Sequence, residues 1–427
     1  MKLVIVGYGP GGVAAATAAR AFDRDAEILL ITDETIQAHR KPGSSLALEF
    51  PDSEKLFIAD WSYDALRKKR IEVNPGVRVI SADTGERTLL IVDSKGKSST
   101  ISYDKLILAT GGVPAVPEMP GVDLPGVHTI QTMVDASRIG NTLRVAETVI
   151  IVGAGFSGLE TADRLREMGK DVHLIVRSRL MRRLLEESMS DELESRIPPG
   201  VIVHKGSSPE RVIGKERVKG LIVGSEEMLA DAVLFMTGVS PNTELAKTLG
   251  LKIGSLGGIV VGPTMETSAD GVYAVGDCVE LMDRLSGKPM LLPVGSAAAR
   301  AGRQAGVTAV GGKKIYSDTA LKLQYDRIFN TDIVCIGHSS TTASGAGIAT
   351  KIHYLDDPAE FAKIALVTTK DGRLIGGQVL SARMGAPIAY QILERIESGA
   401  KLSEKPLLKP RHERIKDLLE NMLGPIG

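Results

Sequence analysis

Two groups of glycines have the spacing that a phosphate-binding turn requires. Each follows the pattern Gly-x-Gly-x-x-Gly and comes directly after a short run of aliphatic residues. In such a turn the first glycine makes the sharp bend, the second lets the backbone approach a pyrophosphate, and the third lets the following helix pack closely. Two copies in matching context predict two dinucleotide sites, and hence two cofactors that exchange electrons. The glycines are Gly7, Gly9 and Gly12 in the first copy, and Gly153, Gly155 and Gly158 in the second.

The residues around each glycine pattern predict a strand, the turn, a helix and a second strand. After the first pattern, Val13–Phe22 predicts a helix and Glu27–Ile31 predicts a strand. After the second, a helix is predicted over Leu159–Met168, with Gly169 at its end, and a strand over Asp171–Val176. A helix that begins at such a turn directs unpaired N–H groups and a partial positive charge at the bound phosphates.

The residues that follow the second strand differ in charge between the two copies. Asp33 and Glu34 follow the first of these strands, where a carboxylate accepts hydrogen bonds from ribose hydroxyls; a solvated loop carboxylate is the alternative. Arg177 and Arg179 stand at the corresponding point of the second copy, with two more arginines close behind. A carboxylate would repel a 2′-phosphate and arginines would bind it, so the second copy favours NADPH over NADH. An exposed basic helix start is the alternative for the arginines.

Further positions at the ends of predicted elements are candidates for cofactor contacts. The apolar runs that end near residues 109, 236 and 275 each finish in a turn of small residues. An alanine-rich helix is predicted over 296–310, and a short strand over Val77–Ser81. The candidates at these places are Val79, Thr110, Gly111, Gly238, Gly276, Asp277 and Gly295.

The composition fits an ordinary globular protein and argues against several classes of partner. The 52 basic residues balance the 52 acidic ones, which disfavours nucleic acid and a membrane surface. No apolar run reaches the ~20 residues of a membrane span, and the chain starts with a strand rather than a signal-peptide pattern, so we expect a cytoplasmic protein. The seven histidines show no metal-ligand spacing. Cys278 and Cys335 form no Cys-x-x-Cys pair and are expected to be two buried small hydrophobes, with a redox pair as the alternative.

Taken in order, these motifs resemble the FAD-dependent pyridine-nucleotide disulfide oxidoreductase family over nearly the whole chain. In that family the first glycine pattern binds FAD and the second binds NAD(P)H. Residues 106–111 resemble its Ala-Thr-Gly crossing motif, and residues 271–277 resemble the motif whose aspartate holds the ribityl chain of the flavin. The resemblance implies an α/β fold with two Rossmann-like dinucleotide-binding domains and a C-terminal α+β interface domain that forms homodimers. The implied segments are 1–113 and 242–313 for FAD, 114–241 for NAD(P), and 314–427 for the interface domain, which includes helices at Pro387–Ser398 and Glu413–Leu423.

One departure from the family concerns its redox cysteine. Disulfide reductases and many NADH oxidases of the family carry that cysteine after the first βαβ unit, where this chain has none in residues 39–46. Without a thiolate there to attack a disulfide, disulfide reduction is disfavoured. The segment instead resembles the ferredoxin- and rubredoxin-reductase branch, in which an Arg-Pro pair follows the acidic strand end. Lys41 and Pro42 take the place of that pair, and Lys41 is a candidate for the positive group near flavin N5, with an exposed loop lysine as the alternative.

The resemblance leads to a hypothesis about the reaction. We expect a FAD-dependent NAD(P)H dehydrogenase or oxidase that passes hydride from nicotinamide to flavin and then to oxygen or another acceptor. Glu160 stands where the family often has an acidic residue near the nicotinamide and flavin rings. The alternative is that Glu160 is a helix carboxylate with a structural role only. The helix after Gly295 would stabilise reduced flavin through its N-terminus. The alternative functions are reduction of a small carrier protein such as rubredoxin or ferredoxin, and a flavin-binding redox sensor with little turnover.

Overall fold

The structure is a computed structural model that describes residues 1–39, 43–50, 54–313, 320–357 and 361–402. The described residues form two compact units, and the ranges given for each unit refer to its described residues. Unit 1 comprises Met1–Ala115, Ile130–Gly140 and Gly238–Ala320. Unit 2 comprises Val116–Thr129, Asn141–Thr237 and the residues from Leu321 onward.

Strands and helices alternate in the first part of each unit, and strands dominate the last part of unit 2. The strands, in chain order, are β1 (Lys2–Val6), β2 (Glu27–Ile31), β3 (Ile71–Asn74), β4 (Arg78–Asp83), β5 (Thr88–Val92), β6 (Ser98–Ser102), β7 (Lys105–Leu108), β8 (Gly112–Pro114), β9 (Val127–His128), β10 (Thr148–Val152), β11 (Asp171–Val176), β12 (Val201–Lys205), β13 (Pro209–Gly214), β14 (Val218–Val223), β15 (Glu226–Leu229), β16 (Ala232–Phe235), β17 (Val239–Pro241), β18 (Ile259–Val260), β19 (Val272–Ala274), β20 (Val279–Met282), β21 (Pro289–Met290), β22 (Leu323–Ile328), β23 (Thr331–Gly337), β24 (Thr350–Asp357), β25 (Ala362–Thr369) and β26 (Leu374–Ser381). The α-helices are α1 (Pro10–Phe22), α2 (Leu46–Glu49), α3 (Tyr63–Lys68), α4 (Met133–Val145), α5 (Phe156–Glu167), α6 (Glu187–Glu194), α7 (Glu244–Thr248), α8 (Gly295–Ala309), α9 (Ser340–Gly345) and α10 (Gly385–Glu397), with 3₁₀ turns at Glu54–Leu56 and Ala59–Trp61.

Unit 1 is built on a five-stranded parallel sheet with the strand order β19-β7-β1-β2-β3. Val4 of β1 pairs with Leu29 of β2 on one side and with Leu106 of β7 on the other. The sheet is covered on both faces: α1 and α8 pack on the face that includes Ile5, while β5 and α7 pack on the face that includes Val4. This burial explains why β1 is a continuous aliphatic run rather than an alternating one.

Helices α1 and α8 approach each other closely because glycines stand at their contact. A Cβ on Gly302 of α8 would lie 2.1 Å from the carbonyl oxygen of Gly11, and one on Gly306 would lie 2.1 Å from that of Ala15. Alanines on both helices complete the contact, and Ala15 and Ala305 are fully buried. Small residues thus bring the start of α8 to the same end of unit 1 as the start of α1.

Unit 2 repeats the plan of unit 1 in its first part. Its parallel sheet has the order β12-β11-β10-β16-β9, with β10 in the central position that β1 has in unit 1. In both units an edge strand of the parallel sheet, β3 in unit 1 and β12 in unit 2, is followed along the chain by a three-stranded antiparallel sheet, β4-β5-β6 in unit 1 and β13-β14-β15 in unit 2. The latter covers the sheet face that includes Ile150 and Phe235, through Val212 and Leu221. The same order of elements therefore carries both glycine patterns.

The last part of unit 2 is a five-stranded antiparallel sheet with the order β22-β23-β26-β25-β24, hereafter the C-terminal sheet. Strand β26 is buried along its whole length, because it packs against both α10 and α6. A Cβ on Gly377 would lie 2.6 Å from Cγ2 of Ile392, so this glycine lets α10 lie close to the sheet. The buried Asp332 accepts the N–H of Gly385 at 3.1 Å and so fixes the start of α10.

The structure confirms the α/β class and the elements around the glycine patterns. Strands β2 and β11 have the predicted bounds, and α1, α5 and α8 lie where helices were expected, within three residues at each end. The predicted helix at Glu413–Leu423 lies outside the described residues. The four predicted domain segments stay a prediction; the two units divide the chain differently, since the described residues from Leu321 onward group with Asn141–Thr237. No helix of the described chain is long and apolar enough to cross a membrane.

Candidate dinucleotide-binding sites

The first glycine turn connects β1 to α1 in unit 1, and two of its glycines are required by close backbone contacts. Gly7 has a φ of +118°, and a Cβ there would lie 2.1 Å from the carbonyl oxygen of Ala109. A Cβ on Gly12 would lie 2.0 Å from the carbonyl oxygen of Gly7. Gly9 differs, because a Cβ there would meet nothing within 4 Å. The backbone at Gly9 therefore faces open space, as the close approach of a pyrophosphate requires.

The second glycine turn, between β10 and α5 in unit 2, shows the same three roles. Gly153 has a φ of +109°, and a Cβ there would lie 2.5 Å from the carbonyl oxygen of Met236. A Cβ on Gly158 would lie 2.0 Å from the carbonyl oxygen of Gly153, whereas one on Gly155 would meet nothing within 4 Å. The repetition of two crowded glycines and one open glycine indicates that both turns are built for the same kind of ligand.

In the described part of the chain, α10 begins with its first N–H donated to Asp332, whereas α1, α5 and α8 begin without a side-chain cap and without an acidic residue in the first turn. Their first N–H groups are therefore available to a bound anion, and the helix dipole favours negative charge at this end. In unit 1 two of these helix starts lie together, since a Cβ on Gly295 would lie 3.5 Å from Cγ of Pro10. Unit 1 thus offers two neighbouring helix N-termini, and unit 2 offers one at its glycine turn.

Asp33 and Glu34 follow the end of β2, as the sequence predicted. Asp33 is exposed and Glu34 is half-buried. The Glu34 carboxylate lies 3.9 Å from Nδ1 of the buried His39. Nε2 of His39 accepts the N–H of Met133 at the start of α4, at 3.1 Å. Since Nε2 accepts, Nδ1 carries the proton, and it lies 3.3 Å from the carbonyl oxygen of Gln37.

The segment that lacks the family's cysteine is only partly described. Lys41 and Pro42, predicted to lie near the flavin, fall outside the described residues. Ser44 and Ser45 are buried immediately before α2. A Cβ on Gly140 would lie 2.7 Å from the carbonyl oxygen of Leu48, so α4 packs directly on α2.

Both cysteines of the chain are buried, as predicted. Sγ of Cys278 lies 3.2 Å from the carbonyl oxygen of Val275. Burial raises the pKa of the Cys278 thiol, and it raises the pKa of Cys335 to about 12. Buried thiols with raised pKa values are poor nucleophiles, so neither cysteine replaces the missing redox cysteine.

The strand ends at Thr110 and Gly238 lie near two of the points where the chain passes between the units. Oγ1 of Thr110 donates to the carbonyl oxygen of Asn242 at 2.7 Å, and the carbonyl oxygen of Gly111 accepts the N–H of Asn242 at 2.9 Å. The N–H of Ala115 donates to the carbonyl oxygen of Gly238 at 2.9 Å. Strands β8 and β17 pair antiparallel beside these contacts. The predicted cofactor positions Thr110, Gly111 and Gly238 therefore join the segments 110–115 and 238–242 of unit 1.

The other predicted site residues lie at the ends or irregular points of elements. Gly276 and Asp277 follow β19, and a Cβ on Gly276, whose φ is +86°, would lie 3.6 Å from Cβ of Ala298 in α8. Val79 is half-buried at the point in β4 where the register with β5 shifts. Glu160 is half-buried near the start of α5 in unit 2.

The arginines beyond β11 form a cluster in unit 2. Arg177 and Arg183 are exposed, and Arg182 is half-buried. The pKa of Arg182 is lowered by burial and by the charges of Arg177, Arg183 and Arg179. Nη1 of Arg179 is already engaged, because it donates to the carbonyl oxygen of Leu185 at 2.5 Å and to Oγ of Ser190 at 3.0 Å. Arg179 therefore also has a structural role, and Arg182 joins the predicted pair as a third member of the basic cluster.

Some functional candidates were missed by the sequence analysis because their partners are distant in the chain. His39 is hydrogen-bonded to a residue 94 positions away, and nothing local marks it. In the sequence, Arg182 is only one of several arginines behind the strand end. Within the described residues, no group of three or more His, Cys, Asp or Glu side chains could hold a metal ion.

The geometry fits two dinucleotides. Each turn combines an open middle glycine with a helix N-terminus that no side chain caps. Unit 1 adds an acidic pair suited to an adenosine ribose and a second helix start, while unit 2 adds a basic cluster. These features define the class of α/β oxidoreductases that bind a flavin dinucleotide and a nicotinamide dinucleotide.

Comparison with known proteins supports this class. The family model of pyridine nucleotide-disulphide oxidoreductases matches residues 1–299. The NADH oxidase of Methanocaldococcus jannaschii is 30% identical over 417 residues, which cover 93% of this chain and 90% of the relative. The rhodocoxin reductase of Rhodococcus erythropolis is 32% identical over 284 residues, or 65% of each chain. The structure of an NAD-dependent persulfide reductase from A. fulgidus has a TM-score of 0.88 and 26% identity, and the match covers 98% of this chain and 82% of that one.

The chain belongs to the pyridine nucleotide-disulphide oxidoreductase family, whose members are FAD-dependent NAD(P)H oxidoreductases. The predicted family, the two Rossmann-like units, the enzyme class and the cofactors FAD and NAD(P)H are thereby confirmed.

Proposed function

We propose that this protein oxidises NAD(P)H through FAD and passes the electrons to an acceptor other than a disulfide or persulfide. The observation that carries the proposal is the pair of matching glycine turns, each with an open middle glycine. FAD, when bound, supplies the hydride acceptor and the route to the final electron acceptor. The work of the chain is therefore to bind the two dinucleotides, orient their rings and exclude competing chemistry.

Each unit has residues suited to one of the dinucleotides. In unit 1 the N-terminus of α1 would bind the FAD pyrophosphate, and Glu34 would accept hydrogen bonds from the adenosine ribose. The N-terminus of α8 would favour negative charge on the flavin, and Asp277 would bind the ribityl chain. In unit 2 the N-terminus of α5 would bind the nicotinamide dinucleotide, with Glu160 orienting it. Lys41 remains our candidate for the positive group near flavin N5.

The missing redox cysteine decides the class of acceptor. A disulfide or persulfide reductase of this family needs an accessible thiolate, and the chain has only Cys278 and Cys335, both buried. Without a sulfenate to complete the reduction, dioxygen would be reduced to hydrogen peroxide. The similarity to an NADH oxidase supports this acceptor.

The basic cluster supports a preference for NADPH over NADH. Several guanidinium groups whose charges lower the pKa of Arg182 favour a bound anion, and a 2′-phosphate is the anion that distinguishes NADPH. We further propose that the protein forms a homodimer, as its family resemblance implies.

Anaerobic mixing of the FAD-loaded protein with NADPH and with NADH tests the proposal. The flavin absorbance should bleach with both, and faster with NADPH. Admission of air should restore the absorbance and yield about one hydrogen peroxide per NADPH consumed. A flavin that neither nucleotide reduces would overturn the proposal, and rapid turnover with a disulfide or persulfide would overturn the assigned acceptor class.

Reduction of a small electron-carrier protein is the second candidate function. It is favoured by the similarity to rhodocoxin reductase and by the segment that contains Lys41 and Pro42. The two candidates separate in one experiment, in which NADPH turnover is measured in air and then without oxygen in the presence of rubredoxin or ferredoxin. Turnover with the carrier far above that with oxygen would favour the carrier, and slow turnover with both would favour a redox sensor.

A further inference from the structure

The loop that carries the arginines, residues 177–186 (hereafter the arginine loop), is hydrogen-bonded to the C-terminal sheet of unit 2. We propose that this sheet positions the arginine loop for recognition of the 2′-phosphate of NADPH, and that Glu186 is the principal positioning residue. The inference rests on the proposed preference for NADPH. It assigns to the C-terminal sheet a part in the choice of nucleotide, in addition to its predicted part in dimerisation.

Glu186 ends the arginine loop and is only 3% exposed. Its Oε1 accepts the N–H of Ser340 at 2.7 Å and Nε2 of Gln378 at 3.1 Å, and its Oε2 accepts the hydroxyl of Ser340. The backbone N–H of Glu186 donates to Oε1 of Gln378 at 2.6 Å. Since a buried carboxylate is stable only when its oxygens are satisfied, these donors leave Glu186 a single position relative to β26 and α9.

A second set of contacts fixes the arginine loop next to Arg182. Oγ of Ser339 donates to the carbonyl oxygen of Arg183 at 2.8 Å. Within the loop, Nη1 of Arg179 donates to the carbonyl oxygen of Leu185. Beyond the loop, Nζ of Lys363 in β25 donates to the carbonyl oxygen of Ser188 at 3.3 Å. The backbone on the C-terminal side of Arg182 is therefore held at Arg183 and at Glu186 by the same sheet and its connection to α9.

This arrangement predicts an effect on one nucleotide and not on the other. The glycine turn of unit 2 has its own close contacts among Gly153, Gly158 and Met236. The arginine loop also bonds to this turn, since the N–H of Met181 donates to the carbonyl oxygen of Ala154 at 2.9 Å, but that bond lies before Arg182 and the contacts with the C-terminal sheet lie after it. Loosening the part of the loop after Arg182 would therefore weaken binding of the 2′-phosphate while the pyrophosphate site stays intact. A merely structural role for Glu186 would instead weaken NADPH and NADH alike.

Glu186→Gln, measured in the FAD-loaded protein, tests the positioning role. It keeps the size of the side chain but replaces one acceptor oxygen with an amide donor, which opposes a donor already present. We expect the affinity for 2′,5′-ADP, measured by calorimetry, to fall roughly tenfold while the affinity for 5′-AMP is unchanged. The KM for NADPH should rise by a similar factor, with the KM for NADH and both kcat values unchanged. Ser340→Ala, which removes only the hydroxyl donor, should give a smaller change in the same direction and serves if Glu186→Gln does not fold.

Asp332→Asn is the matched control. Asp332 is a buried carboxylate of the same sheet, but it accepts the N–H of Gly385 on the side of α10. It should lower thermal stability without changing the ratio of 2′,5′-ADP to 5′-AMP affinity, and an equal loss of that ratio in both variants would overturn the positioning role.

Arg182→Ala separates this inference from the proposed function. If Arg182→Ala weakens 2′,5′-ADP binding and Glu186→Gln does not, the positioning role is wrong and the NADPH preference stands. If neither variant changes the affinity for 2′,5′-ADP, the preference for NADPH itself is wrong, and the inference fails with it.

Discussion

The glycines of the two turns differ in the contacts that a Cβ atom would make at each position. A Cβ on Gly7 or Gly153 would collide with a carbonyl oxygen of the neighbouring strand end, so these positions are needed for folding. A Cβ on Gly9 or Gly155 would meet no protein atom within 4 Å. The middle glycines are therefore free of a steric constraint from the protein, and we propose that they leave room for a ligand.

This difference allows each cofactor site to be disabled separately. Gly9→Ala should lower FAD affinity at least tenfold, or by about 1.4 kcal/mol, because the new methyl group occupies the space of the pyrophosphate. Gly155→Ala should leave the FAD content unchanged and raise the KM for NAD(P)H by a similar factor. Bound flavin measured after gel filtration, together with the KM values, checks both variants, and each is the control for the other. FAD loss in Gly155→Ala, with FAD retained in Gly9→Ala, would show that the sites are assigned to the wrong units.

Candidate site residues could be identified from the sequence where they lie close along the chain to the turn that they would serve. The glycine spacing, the acidic pair after β2 and the arginines after β11 all lie within about 30 residues of the turn they serve, as expected for a βαβ unit. The contacts of His39 with Met133 and of Glu186 with Gln378 span 94 and 192 positions, and no local pattern indicates them. The second role of Arg179, as a donor to Leu185 within its own loop, is likewise evident only from the folded structure.

At the scale of elements, the pairing of α1 with α8 depends on backbone contact rather than on large side chains. Gly302→Ala adds a methyl group 2.1 Å from the carbonyl oxygen of Gly11. The clash should lower the free energy of unfolding by about 1–3 kcal/mol, although alanine is the better helix former. It should also reduce FAD retention, since α8 would move away from α1. Chemical denaturation followed by circular dichroism measures the first effect, and bound flavin measures the second.

Gly345→Ala supplies the control for this helix contact. Gly345 ends α9, and a Cβ there would meet nothing within 4 Å. Its replacement should leave stability unchanged or raise it by up to about 1 kcal/mol. If Gly302→Ala were as stable as Gly345→Ala, the close approach of α1 and α8 would not be what positions α8.

Neighbouring strands β11 and β12 bring two histidines together in unit 2. Nδ1 of His173 lies 3.0 Å from Nε2 of His204, and the rings are parallel within 8°. Burial, and then the charge of His204, lowers the pKa of His173 below its ordinary 6.5. A group whose pKa is lowered by folding binds fewer protons in the folded state than in the unfolded state. The folded state is therefore destabilised as the pH falls below the pKa that the histidine has in the unfolded chain.

Unit 2 should therefore become less stable in mild acid. The thermal midpoint should fall between about pH 7.5 and about pH 5.5, and His173→Gln should make that fall smaller, because glutamine cannot become charged. Scanning calorimetry of both proteins at the two pH values checks this, with flavin release recorded alongside to follow unit 1. The same fall in the variant and in the wild type would show that other groups cause the acid sensitivity.

The elements that the sequence predicted well are those with an unambiguous pattern. The aliphatic runs of β2 and β11 lie between a helix and a charged turn, so their ends are clear. Strand β26 was not predicted, because Gly376 and Gly377 interrupt its aliphatic pattern and weaken its strand propensity. The glycine at position 377 is explained by the packing of α10 against it, which leaves no room for a Cβ atom.

At the scale of the whole molecule, the chain uses one folding plan twice and differs where chemistry requires it. In both units a parallel sheet carries a glycine turn at its centre and is followed, after an edge strand, by a three-stranded antiparallel sheet. The repeated elements supply the same phosphate-binding turn, and the residues after the second strand supply opposite charges. The family's disulfide chemistry would require one further group, an accessible thiolate, and this chain instead has two buried cysteines.

Turnover should therefore be insensitive to thiol reagents. In the folded protein N-ethylmaleimide should modify neither Cys278 nor Cys335, since both are buried and burial raises the pKa of each thiol. NADPH oxidation in air should keep its rate after treatment, whereas a relative that depends on a redox cysteine, treated in parallel, should lose it. Mass spectrometry of the treated protein, before and after unfolding, counts the modified thiols. Rapid loss of NADPH oxidation together with one modified cysteine in the folded state would contradict a mechanism without thiols, and the identity of that cysteine would locate the group that the mechanism omits.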